Sequence, residues 1–206
     1  LKRDGMQGKV PTADDQILPN DRVAIATAGE ASFNRILRIF GHEAIDFPDK
    51  PKVVIYGADL IGIRLAKAWL DVDGKVTVVE KDLETANNLA GSDIGSHRNI
   101  EIIHGDHLDK NLLSEIEISS YDIAISALDD DHASIAAVLL ASDMGVERTG
   151  LILYDADLVD VVRRMGITFS VDRKRVAIDS ILSRIHSELP GPYAVLSSVP
   201  DVIGIC

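Results

Sequence analysis

A chain of 206 residues is long enough for one full α/β domain with a smaller appendage, and for a sizeable buried core. Its 33 acids against 21 bases leave a formal net charge of −12, which opposes nucleic-acid backbones and anionic lipid surfaces, since both reward clustered Lys and Arg. Hydrophobic residues reach 46%, yet no apolar run approaches the roughly 18–20 residues of a membrane span, and the single cysteine excludes an internal disulfide framework.

The start of the chain is polar and basic, then acidic, without the apolar stretch of a leader. A soluble, acidic, intracellular chain is expected. Leu1 in place of Met, and an end just after Val202-Ile203-Gly204-Ile205, read as a piece cut from a longer protein.

Residues 1 to about 46 lack regular strand–helix alternation. Pro11, Pro19 and Asn20-Asp21 punctuate short segments, Val23 to Thr27 reads as a strand, and Ala31 to Phe40 as a helix. In that helix Phe33, Ile36, Leu37 and Phe40 stand at core spacing, with Gly41 as its C-cap. The two prolines of Phe47-Pro48-Asp49-Lys50-Pro51 make a linker, because they disfavour both helix and strand.

From Val53 the alternation is regular: strands at 53–56, 76–80, 100–103, 122–126, 149–153 and 167–171, and helices at 60–71, 82–91, 109–116, 132–143, 157–165 and 174–187. The strands are nearly continuous in Val and Ile, as expected when helices cover both faces. Repeated βα units with right-handed crossovers predict an α/β fold, a doubly wound parallel Rossmann-like sheet of order 3-2-1-4-5-6. After Pro190-Gly191-Pro192, Tyr193 to Leu196 reads as the first strand of another module.

Val53-Val54-Ile55-Tyr56-Gly57-Ala58-Asp59-Leu60-Ile61-Gly62 is the strand–turn–helix of a dinucleotide-binding unit, and Glu80 ends its second strand 18 residues beyond Gly62. In the full fingerprint the first glycine makes the tight turn, the second lets pyrophosphate approach bare backbone, and the third permits close helix–strand packing. Gly57 and Gly62 keep the first and third roles, but Asp59 replaces the middle glycine. Two unit charges about 4 Å apart repel by roughly 4 kcal/mol at an effective dielectric near 20. Two readings follow. Asp59 is the N-cap of the helix and a built-in anion in the phosphate site, or the pocket accepts an adenine nucleotide in a shifted pose. Glu80 suits ribose hydroxyls and repels a 2′-phosphate, favouring NAD-type or adenosine ligands; the plain alternative is a solvated strand end.

Gly105-Asp106 and Ala127-Leu128-Asp129-Asp130-Asp131 follow the third and fourth strands, where open α/β sheets bind ligands. Asp130-Asp131 reads first as an N-cap. His104 and His107 straddle a turn without a nearby cysteine, so no metal site is expected. No serine stands in a nucleophile elbow and Cys206 is terminal, so no catalytic residue is expected either. The basic triplet Arg173-Lys174-Arg175 reads as a solvated helix start.

Taken in order, Val53 to Gly62, Glu80, His104-Gly105-Asp106, Leu112-Leu113, Ala127 to Asp131, Leu158 to Val162 and Ile181-Leu182 resemble the TrkA family. These are regulatory subunits of Trk-type potassium uptake systems, built from RCK (TrkA-N) domains. The resemblance covers about residues 50 to 188; Asn20-Asp21-Arg22-Val23 resembles the Gly-Asp-Arg-Val stretch of the small C-module that follows each core. It implies the end of one C-module in 1–46, a whole second core in 47–189, and the opening of another C-module in 190–206. It also implies a non-enzymatic homo-oligomeric ring, cytoplasmic and peripheral on the inner face of the membrane, under a membrane-embedded transporter or channel subunit, with NAD(H) or ATP/ADP biasing its shape.

Carried over by position, the nucleotide contacts fall on Gly57, Ala58, Asp59, Leu60, Ile61, Gly62, Glu80, Asp106, Ala127, Leu128 and Tyr154. Three of these depart from the family pattern: Asp59 for glycine, Ala127-Leu128 for a polar pair, and Tyr154 for a frequent arginine. The departures point to a degenerate copy that scaffolds the ring and binds nucleotide weakly or not at all. A purely structural oligomerisation module and an NAD-dependent oxidoreductase are the competing readings; the latter lacks an insertion for a substrate domain.

Overall fold

The computed structural model describes residues 11–19, 21, 23, 25, 29–40, 48–178, 193–195 and 203–205. Internal contacts divide the chain into two units: Phe47–Val176, and Leu1–Asp46 with Ala177–Cys206. In the first, strands β1 (Lys52–Tyr56), β2 (Lys75–Glu80), β3 (Ile100–His104), β4 (Ile123–Ser126), β5 (Arg148–Leu153) and β6 (Phe169–Asp172) form one sheet of order β3-β2-β1-β4-β5-β6. All five pairings are parallel. This is the doubly wound sheet and strand order expected from the alternation.

Helices α2 (Leu60–Leu70), α3 (Leu83–Ala90), α4 (Lys110–Glu115), α5 (Asp131–Asp143) and α6 (Val159–Arg164) complete the unit; α1 is Gly29–Ile39 in the other unit. The near-unbroken Val/Ile pattern of β1 follows from burial on both sides: Val53, Val54, Ile55 and Tyr56 are all 0% exposed. Val53, Ile55, Val76, Val78, Ile123 and Ile125 form one face and pack with Ala66, Leu70 and Leu89 of α2 and α3. On the opposite face Val54, Tyr56, Val79 and Ala124 pack with Leu113 of α4 and Ala137 and Ala141 of α5. A third cluster joins Leu151 and Leu153 to Val138, Val162 and Ile167.

Local differences have local causes. The helix expected at 157–165 opens as a 3₁₀ turn, Ala156–Leu158, because the Asp155 carboxylate accepts the Asp157 amide. The sixth strand starts at Phe169, not 167, since Ile167 is drawn into the core beneath α6. The helix expected from 174 starts at 173 and is described to 178; its continuation to 187 lies outside the described residues. Of the strand expected at 23–27, residues 23 and 25 stand in neither helix nor strand and the others lie outside the described residues. In α1, Ile36 and Leu37 are half-buried, whereas Phe40, just past its end, is 42% exposed. Gly41 and Phe47 also lie outside the described residues. Tyr193–Val195 pairs antiparallel with Ile203–Ile205, forming β7 and β8.

Candidate functional site

All eleven candidate residues lie at the carboxyl edge of the sheet: Gly57 to Gly62 between β1 and the first turn of α2, Glu80 at the end of β2, Asp106 after β3, Ala127-Leu128 after β4, and Tyr154 after β5. The backbone of the first turn demands its glycines. Gly57 has φ +98°, a region side chains avoid. A Cβ on Gly62 would collide with the Gly57 carbonyl oxygen, so α2 leaves β1 in close contact with the turn. Gly57 in turn lies against Ala127-Leu128: a Cβ there would sit 3.2 Å from Leu128 Cδ2 and 3.3 Å from the Ala127 carbonyl oxygen.

Asp59 caps α2. Its Oδ1 accepts hydrogen bonds from the amides of Ile61 (2.9 Å) and Gly62 (2.8 Å). A carboxylate in this position satisfies two orphan donors and complements the positive end of the helix dipole. The next carboxylate comes from β2: Glu80 Oε2 accepts the Ala58 amide at 2.7 Å, while Oε1 accepts Asp82 N–H at 2.8 Å. The Gly57 amide donates to the Val79 carbonyl at 3.0 Å. Four amides of the turn, those of Gly57, Ala58, Ile61 and Gly62, are therefore engaged inside the chain. An incoming pyrophosphate would have to displace Asp59 from two of them and Glu80 from a third, and bring like charge against both. Ionised carboxylates offer about four acceptor sites, so Glu80 retains room for a hydroxyl donor.

Asp106 does not reach Glu80. Its Oδ2 takes Lys81 Nζ at 2.8 Å and its Oδ1 accepts the Leu108 amide at 2.9 Å; the Lys81 bond is the main reason its acid is stronger than usual. The neighbouring His107 is 8% exposed and its ring lies 6.2 Å from that of Tyr56. Burial pushes its pKa down, against an opposing pull from Asp106. The Tyr56 hydroxyl is buried without a hydrogen-bond partner among the described residues, and burial raises its pKa.

Tyr154 lies in the loop after β5. Its amide donates to Asp131 at 2.9 Å, and the same carboxylate accepts Asp155 N–H at 2.8 Å. Its hydroxyl accepts from Arg173 Nη1 at 2.6 Å, with the guanidinium 4.9 Å from the ring centre. Of the Asp130-Asp131 pair only Asp130 caps α5, through Ala133 N–H at 2.8 Å; Asp131 reaches across to the loop after β5. Lys81, Asp131, His107 and Arg173 carry roles that the sequence reading missed. Lys81 next to Glu80 at a strand end was the one local signal, while the others depend on contacts distant in sequence. Among the described residues no group of three His, Cys, Asp or Glu side chains is placed to hold a metal ion.

The TrkA-N domain model matches residues 53–172, the whole span from the start of β1 to the end of β6. The chain belongs to the TrkA-N family. Among curated proteins it is 26% identical over 194 residues to the Trk system potassium uptake protein TrkA of Azorhizobium caulinodans, covering 93% of this chain and 41% of that protein. It is 31% identical over 138 residues to the TrkA of Halomonas elongata, covering 67% of this chain and 29% of that protein. The chain thus spans less than half the length of these relatives. The fold is shared with the TrkA-N domain of the Escherichia coli inner membrane protein ybaL, at TM-score 0.57 and 14% identity over 68% of this chain and 99% of that one. It is also shared with the GsuK channel bound to NAD, at TM-score 0.56 and 16% identity over 78% and 34% of the two chains. The Shewanella denitrificans Kef C-terminal domain in AMP-bound form superposes at TM-score 0.52 with 14% identity, over 66% and 83%.

Proposed function

We propose that this chain is part of the regulatory subunit of a Trk-type potassium uptake system, acting from the cytoplasmic face of the membrane on a membrane-embedded transporter subunit. In this reading its TrkA-N copy is a non-enzymatic scaffold in a homo-oligomeric ring and binds NAD(H), ATP or ADP weakly or not at all. The observation that carries it is the engagement of the glycine-turn amides by Asp59 and Glu80. The potassium uptake relatives supply the transport context, and the NAD-bound and AMP-bound structures supply the ligand class from which this copy departs. No helix among the described residues is long and apolar enough to cross a membrane.

The division into a C-module end at 1–46, the core at 47–189 and a further C-module opening at 190–206 belongs to the same proposal. A purely structural oligomerisation module is its limiting case, in which nucleotide binding is absent altogether. The oxidoreductase alternative fits less well: short turns join the elements from β1 to β6, with no inserted substrate domain.

Thermal melting of the chain with saturating NADH, NAD, ATP or ADP tests the ligand half of the proposal. An unmoved midpoint is expected, because a ligand stabilises only what it binds; a concentration-dependent rise with any of the four would overturn it. Potassium uptake by cells whose subunit lacks residues 47–189 tests the transport half, with impaired or unregulated uptake expected and unchanged uptake overturning it.

A further inference from the structure

At the other end of the sheet, away from the glycine turn, an open groove of about 650 Å³ lies between α4 and the α4-side face of β2 and β3. It exists because α4 is only six residues long and stops at Glu115, leaving the lower part of these strands uncovered. Ile103, Leu112 and Ile116 give it an apolar floor. Three cations line it at the amino ends of adjacent strands: Lys52, Lys75 and Arg98. Lys52 and Lys75 are register partners in neighbouring strands, a like-charge placement that does not favour the sheet. Three acids line it as well: Glu101 on β3, Glu115 at the end of α4, and Glu117. Glu117 holds a left-handed backbone, φ 54°, a conformation rare outside glycine, Asn and Asp.

Among the described residues none of the six has an ion-pair partner. Lys52 Nζ instead meets Ser120 Oγ at 2.6 Å and stands 4.3 Å from the centre of the Tyr121 ring. The Tyr121 hydroxyl is held at 2.7 Å by Thr77, which fixes the ring as part of the groove wall. An amphoteric patch with three cations and three acids gives a second copy related by a two-fold axis, where residue i meets j and j meets i, opposite charges to pair with. The chain as a whole carries −12, so two copies repel over most of their surface. The lining of this patch, three cations against three acids, adds no net like charge when two copies meet there. β3 beside it is the outer strand of the sheet, and so offers a backbone row with no strand partner among the described residues.

We infer that the groove between α4 and the β2–β3 face is an interface for a second copy of this chain, with the cation row of one copy against Glu101, Glu115 and Glu117 of the other. The inference rests on the proposed homo-oligomer and names the surface that builds it. Sedimentation velocity on the 206-residue chain tests it with two variants, Lys75→Glu/Arg98→Glu and Glu115→Lys/Glu117→Lys. Circular dichroism confirms that each is folded.

The wild type is expected to self-associate, each variant alone to associate about tenfold more weakly or worse, and an equimolar mixture of the two variants to recover wild-type association. A wild type that stays monomeric at every concentration overturns the homo-oligomer itself. A wild type that associates, with both variants unchanged or with no recovery on mixing, overturns this surface and leaves the homo-oligomer standing through another.

Discussion

At the carboxyl edge of the sheet, Asp59, Asp82, Asp109, Asp130 and Asp155 each turn a carboxylate onto an amide of the helix or turn that follows, and Glu80 closes across to Ala58. At the amino edge, Lys52, Lys75 and Arg98 share a groove with Glu101, Glu115 and Glu117 and form no ion pair among the described residues. Open α/β sheets bind ligands outside the carboxyl ends of their strands, and here amides of the glycine turn at that edge are held by the chain's own acids. The mixed charges of the groove lie at the opposite end of the strands. A fold's binding edge and its available chemistry can separate.

The largest effect that sharpens this contrast comes from the glycine turn. Gly62→Ala places a methyl group against the Gly57 carbonyl, and the expected loss is at least about 2 kcal/mol, read as a lowered urea midpoint. An unchanged midpoint would mean that the turn can widen, and the tight geometry assigned to the site would be wrong. Glu80→Ala comes next. It strips the acceptors from Ala58 N–H and Asp82 N–H and is expected to cost about 1–3 kcal/mol in the same assay; a neutral result would show that these amides are satisfied without it.

His107 gives a smaller, pH-dependent signal. Burial lowers its folded-state pKa below the ordinary 6.5, so below that pH the unfolded chain takes up a proton that the folded chain resists. Its contribution is complete above pH 6.5 and declines as pH falls further. The His107→Phe variant is expected to flatten denaturant midpoints measured on either side of that pH; an unaltered slope would assign the dependence to other groups. The smallest effect belongs to Lys81→Ala. Its ion pair with Asp106 is solvent-exposed on both sides, at 65% and 41%, and its loss is expected to change stability by less than about 0.5 kcal/mol. A larger change would mean that Asp106 depends on this lysine for its place in the site.

The core was legible because its period is simple. Continuous Val and Ile in β1 and β2, glycine at the turn and an acid at the second strand end fix a βαβ unit, and the alternation to β6 follows the same physics. Asp59 was legible as an N-cap because Asp satisfies free amides at helix starts. The sequence offers Glu80 as a ribose acceptor or a solvated strand end; its bond to the Ala58 amide depends on β1 and β2 lying side by side, whereas its bond to the Asp82 amide two residues on is local. Asp131, Arg173 and His107 were not legible for the same reason: their partners lie across the sheet or in another loop, and no local spacing encodes them. The groove is not legible in the sequence because its charges come from β1, β2, the approach to β3, β3 itself, α4 and the residues after it, each of which reads alone as solvated surface.

The most direct test of the central claim is a calorimetric titration of the chain and of its Asp59→Gly variant with NADH, NAD, ATP and ADP. Glycine is itself tolerated at an N-cap for a few tenths of a kcal/mol, so the exchange frees the Ile61 and Gly62 amides at little cost to the fold. The expected result is weak or undetectable binding by the parent and at least about tenfold tighter binding by the variant, the effect of removing as little as ~1.4 kcal/mol of repulsion. Micromolar binding by the parent, or no gain on introducing glycine, would contradict the claim that the chain's own carboxylates close this site.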